Sequence, residues 1–293
     1  MISKGIILAG GTGSRLRPST LSVNKQLLPI YDKPLVYYPL STLMLAGIRK
    51  ILIIVNKGSI SNFKKILSDG SQIGIEIIYK EQDRPSGIPE AFKIGKKFIG
   101  NDNVALILGD NFFYGKGLTG MLNDAKQITS GCCIFLKDVK KPENYGVAVL
   151  KGGEISRIVE KPKKFVSSKA IVGIYFMDNK VIKYVNQLKP SNRKETEIVD
   201  IINIYKKNKK LKYFEIGRGS IWSDVGKIED LFNVSNYVKS IETIQGLKIA
   251  CLEEIAYEKK WINKKQLLNN AKKLGKNPYS EYLKSLAKWK RYY

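Results

Sequence analysis

Short apolar runs alternate with longer segments of mixed polarity through the first half of the chain. Runs rich in β-branched side chains occupy residues 5–9, 51–55, 75–79 and 104–108. This pattern is typical of strands buried on both faces of a parallel sheet. The intervening segments predict helices at residues 34–46, from about 59 to 67 and from about 91 to 98. The alternation predicts an α/β fold with a Rossmann-like, mixed but mostly parallel sheet that has helices on both faces.

The second half alternates less strictly and predicts an extension of the same sheet. Strands are expected at residues 132–136, 147–150, 155–160 and 171–176. Helices are expected at residues 180–188 and 196–207, and the chain becomes polar and helical from about residue 237, with helices at 264–274 and 278–289. We therefore predict a main domain over residues 1–239 and a C-terminal helical, basic extension over residues 240–293 that packs on it.

The net charge of +25 favours anionic partners. Part of the excess lies in residues 259–293, which hold eleven lysines and arginines against one acidic residue, Glu281. No basic segment is interleaved with stacking aromatic residues, so nucleic acid is not a predicted partner. No apolar stretch approaches the roughly 20 residues of a membrane span. Three cysteines without metal-ligand spacing indicate reduced thiols. We expect a cytoplasmic protein without membrane insertion.

The sequence contains no histidine. This excludes histidine general bases, serine–histidine nucleophiles and histidine metal sites. An enzyme built from this chain must work with carboxylates, lysines and arginines, with or without a bound metal. Phosphoryl and nucleotidyl transfer suits that restriction because it relies mainly on positioning and electrostatics.

A glycine cluster follows the first apolar run and is itself followed by fixed cations. Gly10, Gly11 and Gly13 allow the backbone N–H groups to approach an anion, and Arg15 and Lys25 come next. The segment is neither a Walker loop nor a dinucleotide fingerprint, because the required spacing of glycines and the Lys-Ser/Thr pair are missing. A simple tight turn is the alternative. The cations favour a polyphosphate site.

A carboxylate follows the apolar run at residues 104–108. Gly109 permits close approach of a ligand, and Asp110 stands at the tip of the expected strand. An Asp-Asn turn is the plain alternative. Since ligands gather at the carboxyl ends of strands in such sheets, a magnesium ligand beside the glycine loop is the favoured interpretation.

Two long segments and several shorter ones carry a family resemblance. They include Leu8-Ala9-Gly10-Gly11-x-Gly13-x-Arg15-Leu16-x-Pro18 and Lys25-Gln26-Leu27-Leu28-Pro29-Ile30-Tyr31-Asp32-Lys33-Pro34. The shorter pieces are Tyr145-Gly146-Val147, Glu160-Lys161-Pro162 and Trp222-Ser223-Asp224-Val225-Gly226. Together they resemble the motifs of sugar-nucleotidyltransferases, and particularly those of the glucose-1-phosphate thymidylyltransferases.

The resemblance implies transfer of a thymidylyl group from dTTP to glucose 1-phosphate, the first step of dTDP-deoxysugar synthesis, with Mg²⁺ as cofactor. It implies catalytic roles for Arg15, Lys25, Asp110, Lys161 and Asp224, with Asp110 and Asp224 as metal ligands. The implied nucleotide-binding residues are Gly10, Gly11, Gly13, Ser14, Arg15, Lys25, Gln26, Gln82, Gly87 and Asp110. The implied sugar-phosphate-binding residues are Asn111, Gly146, Glu160, Lys161 and Ile171.

The resemblance leaves several choices open. The segment Pro85-Ser86-Gly87-Ile88-Pro89-Glu90 lies in the base-reading region and departs from the family's usual Pro-Asp-Gly-Leu-Ala-Gln, so UTP is an alternative to dTTP. The same chemistry with another hexose 1-phosphate is a separate alternative. A catalytically silent sugar-nucleotide-binding regulator is a further alternative. The resemblance also implies a homotetramer and an effector site near the C-terminal helices, where Glu258 stands in place of an expected basic residue.

Overall fold

The computed structural model describes residues 1–191 and 193–288. Its strands are β1 (Ile2–Ala9), β2 (Pro29–Ile30), β3 (Lys33–Pro34), β4 (Lys50–Asn56), β5 (Glu76–Gln82), β6 (Asn103–Leu108), β7 (Phe112–Gly115), β8 (Cys132–Asp138), β9 (Gly146–Lys151), β10 (Glu154–Glu160), β11 (Lys169–Met177), β12 (Leu211–Glu215) and β13 (Ser220–Ser223). Its helices are α1 (Tyr37–Leu45), α2 (Ile60–Leu67), α3 (Glu90–Ile94), α4 (Lys96–Ile99), α5 (Leu118–Lys126), α6 (Val181–Val185), α7 (Ile198–Lys207), α8 (Ile228–Gln245), α9 (Leu252–Glu258), α10 (Lys264–Lys273) and α11 (Pro278–Leu286).

Strand β1 lies in the middle of the central sheet, parallel to β4 on one side and to β6 on the other. Beyond β4 comes β5, also parallel. Beyond β6 comes β11, which runs antiparallel, followed by β8 and β12, while β9 and β10 continue the sheet beside the start of β11. The observed sheet is therefore mixed and mostly parallel, which confirms the predicted fold class.

Helices cover both faces of this sheet because successive side chains of a strand point to opposite faces. Ile6 of β1 packs in the core formed with Phe92 of α3 and Ile202 of α7. Its neighbour Ile7 packs in the opposite core, which includes Leu43 of α1 and also residues of α5, α9, α10 and α11. The C-terminal helices thus bury apolar side chains against the same core as the first strand.

The main differences from the sequence-based prediction concern short or amphipathic elements. The helix expected from about 91 to 98 is divided into α3 and α4 at Gly95, where a methyl group would lie 2.9 Å from Ile6. The short pair β7–β13, strand β12 and helix α5 were not predicted. Helix α8 begins at Ile228 and continues past residue 239 without a break. The division into a main domain and a C-terminal extension at this residue stays a prediction.

The last expected helix is α11, which ends at Leu286, and residue 289 of that prediction lies outside the described residues. Within the described ranges, no helix has the length and apolarity needed to cross a bilayer.

Candidate active site

Two cavities open side by side at the carboxyl edge of the parallel strands. The larger has a volume of about 860 Å³ and the smaller about 210 Å³. Arg15, Asp110 and Gly226 line both of them. The site therefore offers two compartments that meet at one cation and one carboxylate.

The glycine loop forms one wall of the smaller cavity. Gly11 has φ +119° and Gly13 has φ +58°, which are left-handed conformations that favour glycine. Gly10 is covered by Gln82 from the end of β5, and a methyl group on Gly10 would lie 1.8 Å from the Gln82 Nε2. The backbone N–H and the backbone carbonyl of Gly11 are both hydrogen-bonded to the side chain of Asn56, which stands at the end of β4. Close packing against neighbouring strand ends thus fixes the loop.

Lys25 and Gln26 are buried at the back of the smaller cavity. The Lys25 Nζ lies 2.7 Å from Asp110 Oδ2 and also donates to the Asp224 carbonyl at 3.5 Å. The Oε1 atom of Gln26 is buried and has no hydrogen-bond partner among the described residues. Buried acceptors are normally satisfied, so this oxygen is suited to an N–H or O–H donor of a ligand.

Asn111 fixes the orientation of Asp110. Its Nδ2 donates to Asp110 Oδ1 at 2.8 Å. Its Oδ1 accepts from the Gly173 N–H at 3.2 Å and from Trp222 Nε1 at 2.7 Å. The fully buried Asn111 therefore connects the carboxylate at the end of β6 to β11 and β13.

Asp224 follows β13 and lies near Asp110, since the Lys25 Nζ contacts both residues. Burial raises the pKa of its carboxyl above the usual 3.8, and the negative charge of Asp110 raises it further, while Lys25 and Arg15 act in the opposite direction. Among the described residues, no group of three or more acidic or cysteine side chains forms a complete metal site. Two neighbouring carboxylates nevertheless fit a hard divalent cation that takes its remaining ligands from phosphate oxygens and water.

Charged side chains line the larger cavity. Arg193 Nη2 lies 2.9 Å from Glu160 Oε1 and 2.6 Å from Glu197 Oε2. Burial raises the pKa of Glu160, and the charge of Glu197 raises it further, while Arg193 and Lys161 lower it. Gly146 lies against this carboxylate, because a methyl group there would stand 3.1 Å from Glu160 Oε2.

The structure brings the predicted site residues together, except for Gln82, which packs beneath Gly10 without lining either cavity. The smaller cavity is lined by Gly10, Gly11, Gly13, Ser14, Arg15, Lys25, Gln26 and Asp110. The larger is lined by Gly87, Asn111, Gly146, Glu160, Lys161, Ile171 and Asp224, together with Arg15 and Asp110. The functional roles assigned to these residues stay predictions.

Two polar residues at the site, Asn56 and Arg193, are not predicted by the sequence. Asn56 was overlooked because it ends an apolar run without any motif of its own. Arg193 was overlooked because it lies in an irregular lysine-rich segment, and only the folded chain shows that it reaches Glu160. The position of Asn56 directly after a predicted parallel strand was the available signal.

A phosphate-sized cavity with a glycine loop, beside a larger polar cavity and two neighbouring carboxylates, defines a nucleotide-dependent transferase of the α/β class. Comparison with known proteins agrees. The family model described as nucleotidyl transferase matches residues 4–241. The chain belongs to this nucleotidyl transferase family, whose members generally use a divalent metal.

Relatives that are similar to this chain over almost its whole length share one name. A glucose-1-phosphate thymidylyltransferase of Neisseria meningitidis is 47% identical over 97% of this chain and 99% of its own length. One from Xanthomonas campestris is 46% identical over 97% of each chain.

Solved structures share the fold. A Bacillus anthracis crystal structure described as a glucose-1-phosphate thymidylyltransferase in complex with sucrose is 39% identical, with a TM-score of 0.74, and covers 80% of this chain and 94% of its own. A UDP-glucose pyrophosphorylase complexed with UDP-glucose is 26% identical, with a TM-score of 0.71, and covers 82% of this chain and 100% of its own.

Proposed function

We propose that this protein transfers a thymidylyl group from dTTP to α-D-glucose 1-phosphate and releases dTDP-glucose and pyrophosphate. Full-length relatives at 41–47% identity carry the name of that activity. The observation that carries the proposal is the pair of cavities meeting at Arg15 and Asp110. One compartment suits a triphosphate, and the other suits a sugar phosphate that approaches its α-phosphorus.

The nucleotide is assigned to the side of the glycine loop. The N–H groups of Thr12, Gly13 and Ser14 and the Arg15 guanidinium are suited to neutralise the departing pyrophosphate. Lys25 steadies the triphosphate from the buried side. Gln26 and the backbone of Gly87, which reaches the ligand from the larger cavity, place the nucleoside, and Gln82 supports Gly10 from beneath.

The sugar phosphate is assigned to the larger cavity. Its phosphate is already an anionic nucleophile at neutral pH, so no protein base is needed, which agrees with the absence of histidine from the chain. Lys161 binds this phosphate, and Arg193 supplies a second cation nearby. Glu160, Gly146, Asn111 and the Ile171 backbone bind the glucose hydroxyls. The attack on the α-phosphorus then proceeds in line, opposite the leaving pyrophosphate.

We assign Mg²⁺ to Asp110 and Asp224, because magnesium prefers one or two carboxylates together with phosphate oxygens. A bound divalent cation supplies charge compensation for the phosphate oxygens. Lys25 offsets part of the negative charge of Asp110 from 2.7 Å, and Asn111 holds that carboxylate in place. The chain's own contribution is thus to hold the Asp110 carboxylate in a fixed orientation next to Asp224.

A pyrophosphate-release assay tests the function directly. We expect the highest kcat/KM with dTTP and glucose 1-phosphate when dTTP, UTP, CTP, ATP and GTP are each paired with several hexose 1-phosphates. A preference for UTP would place the protein with the UDP-glucose pyrophosphorylases, whose fold it shares. No release with any pair, alongside measurable binding of dTDP-glucose, would favour a silent sugar-nucleotide-binding regulator.

We also propose a cellular location and an oligomeric state for the protein. We propose a cytoplasmic enzyme, because its two proposed substrates are cytoplasmic metabolites. A homo-oligomer, implied as a tetramer by the family resemblance, is supported by the exposed apolar side chains Phe232 and Ile244 on α8. Light scattering of the purified chain measures that state.

A further inference from the structure

The ends of β1, β4 and β5 place three amide-bearing groups in a row at the edge of the sheet. Ala9 pairs with Val55, and Asn56 pairs with Gln82, so Asn56 lies between the end of β1 and Gln82 in the order of the sheet. The Gly11 N–H donates to Asn56 Oδ1 at 2.8 Å, and Asn56 Nδ2 donates to the Gly11 carbonyl at 2.6 Å. Only one orientation of the amide satisfies both bonds, so donor and acceptor are assigned without ambiguity.

This pair of bonds changes which loop amides are available to a ligand. The Gly11 N–H is already used by Asn56 and is therefore not available to a phosphate. Within residues 1–191 and 193–288, no hydrogen bond occupies the N–H groups of Thr12, Gly13 and Ser14. Thr12, Gly13 and Ser14 line the smaller cavity and follow directly after Gly11, whose two backbone groups are both held by Asn56. The Gly11 carbonyl shares a planar peptide unit with the Thr12 N–H, so the bond from Asn56 also fixes the direction of the first of these three N–H groups.

The loop depends on these hydrogen bonds because the backbone of its glycines can adopt many conformations. Gly11 has φ +119°, and nothing lies within 4 Å of the position that a Cβ would occupy, so side-chain packing does not hold it. The next fixed point is Gly13, whose carbonyl accepts from Thr20 Oγ1 at 2.8 Å and from the Leu16 N–H at 2.9 Å. On the strand side, Asn56 is thus the residue that holds both backbone groups of Gly11.

We infer that Asn56 is a positioning residue that holds the glycine loop in its anion-binding conformation and so sets the affinity for the polyphosphate of the nucleotide and for pyrophosphate. This inference rests on the proposed function, which places the triphosphate at this loop. A loop that adopts the competent conformation only part of the time binds its ligand more weakly in proportion to that fraction. Loss of the two Asn56–Gly11 hydrogen bonds therefore raises the KM for the nucleotide and leaves kcat largely unchanged.

Two substitutions separate the roles of the amide. Asn56→Ala removes both bonds, and we expect a roughly tenfold increase in the KM for the nucleotide, which corresponds to about 1.4 kcal/mol. Asn56→Asp keeps the shape and the acceptor, but it loses the donor and sets a negative charge beside the Gly11 carbonyl and the phosphates. We expect a larger increase for this variant. The KM for the sugar phosphate at saturating nucleotide remains within about threefold of wild type, because that ligand lies in the other cavity.

Asn103 provides a matched control. Its side-chain amide also bonds to the backbone on both sides: it donates to the Thr129 carbonyl at 3.0 Å and accepts from the Asn179 N–H at 3.0 Å. Asn103 lies at the opposite edge of the sheet, away from the glycine loop. Asn103→Ala is expected to lower the unfolding temperature by an amount similar to Asn56→Ala without changing the KM for the nucleotide. The comparison separates a loss of stability from a loss of loop order.

Calorimetric binding of inorganic pyrophosphate and of the metal–nucleotide complex gives a readout independent of turnover. Weaker binding in both Asn56 variants, with normal binding in the Asn103 control, supports the inference. Wild-type affinity in Asn56→Ala and Asn56→Asp, or an equal loss in the Asn103 variant, overturns it. If the wild-type protein binds neither pyrophosphate nor any nucleoside triphosphate, the proposed function itself is wrong, which is a distinguishable result.

Discussion

The two cavities of the site are lined by different kinds of chemical group. The smaller cavity is formed mainly by backbone, with glycines held against Asn56 and Gln82 and with one buried cation, Lys25. The larger cavity is lined by charged side chains from distant parts of the chain, among which Glu160, Arg193 and Glu197 pair with one another. The first compartment is fixed by strand ends of the parallel sheet, whereas the second depends on an ion-pair network.

The difference matters for how each compartment tolerates change. Backbone N–H groups bind phosphate whatever base is attached, so the smaller cavity provides affinity that is common to all nucleotides. Side-chain pairs supply directional contacts to hydroxyl groups, so the larger cavity provides selectivity for the sugar. Asp110 and Arg15 belong to both compartments, and we expect substitutions there to have the largest effects.

Asp110→Asn is expected to reduce kcat about 10³-fold, because it removes a charge that the reaction centre needs while preserving shape. The variant should also bind Mn²⁺ more weakly in the presence of nucleotide, as measured by electron paramagnetic resonance. Asp102→Asn is the matched control, since Asp102 lies at the opposite end of β6 and pairs with Lys4 at 2.8 Å. Near-normal turnover of Asp110→Asn with magnesium present would remove Asp110 from the metal site.

Arg15→Ala is expected to reduce kcat about 10²–10³-fold, the usual cost of removing one group that stabilises developing charge. Its guanidinium lies over Gly226, where a methyl group would stand 3.4 Å from the guanidinium nitrogens. Arg15→Lys should lose less, because it keeps the charge but not the forked donor geometry. Arg17→Ala serves as the control because Arg17 lines neither cavity. Equal kcat values for Arg15→Ala and the control would contradict the leaving-group role.

The contrast between the two compartments also explains what the sequence could predict. The glycine loop and the Asp110 turn each follow one apolar strand, so local spacing is enough to find them. The contacts that hold them are non-local, since Asn56 and Gln82 reach the loop only after β4 and β5 have paired with β1. Arg193 lies 33 residues from Glu160, and nothing in its neighbourhood distinguishes it from the many surface cations. The strands β7 and β13 were missed for the same reason, because they are short and pair across a long separation.

Arg193→Ala tests whether the ion-pair network controls the sugar side alone. Removing the guanidinium leaves Glu160 and Glu197 without their shared cation in the cavity. We expect the KM for glucose 1-phosphate to rise about 10–100-fold, in line with roughly 1.5–3 kcal/mol for a charged hydrogen bond. The KM for dTTP should stay within about threefold of wild type. Arg157→Ala, on the exposed side of the same strand as Glu160, is the control. A parallel increase in both KM values would show that the compartments are not independent.

The smallest expected effect is a pH dependence of stability that comes from Asp224. Its folded pKa is raised above the usual 3.8 by burial and by Asp110, so the folded protein binds a proton more readily than the unfolded chain. At a pH between the usual carboxyl pKa and the raised folded pKa, the native state binds more protons than the unfolded chain. The free energy of unfolding of the metal-free protein therefore falls as the pH rises through that window. Asp224→Asn removes this titration and should have the higher unfolding temperature at neutral pH, by a margin on the order of 2 °C.

The difference should shrink as the pH is lowered toward the usual carboxyl range, because the wild-type carboxyl is then protonated as well. Thermal unfolding in a chelating buffer from acidic to neutral pH measures both curves. Metal and proton compete for the same carboxylate, so adding a divalent cation with nucleotide should reverse the order and stabilise wild type more than the variant. A constant gap between the two curves across the whole range would mean that Asp224 does not titrate abnormally.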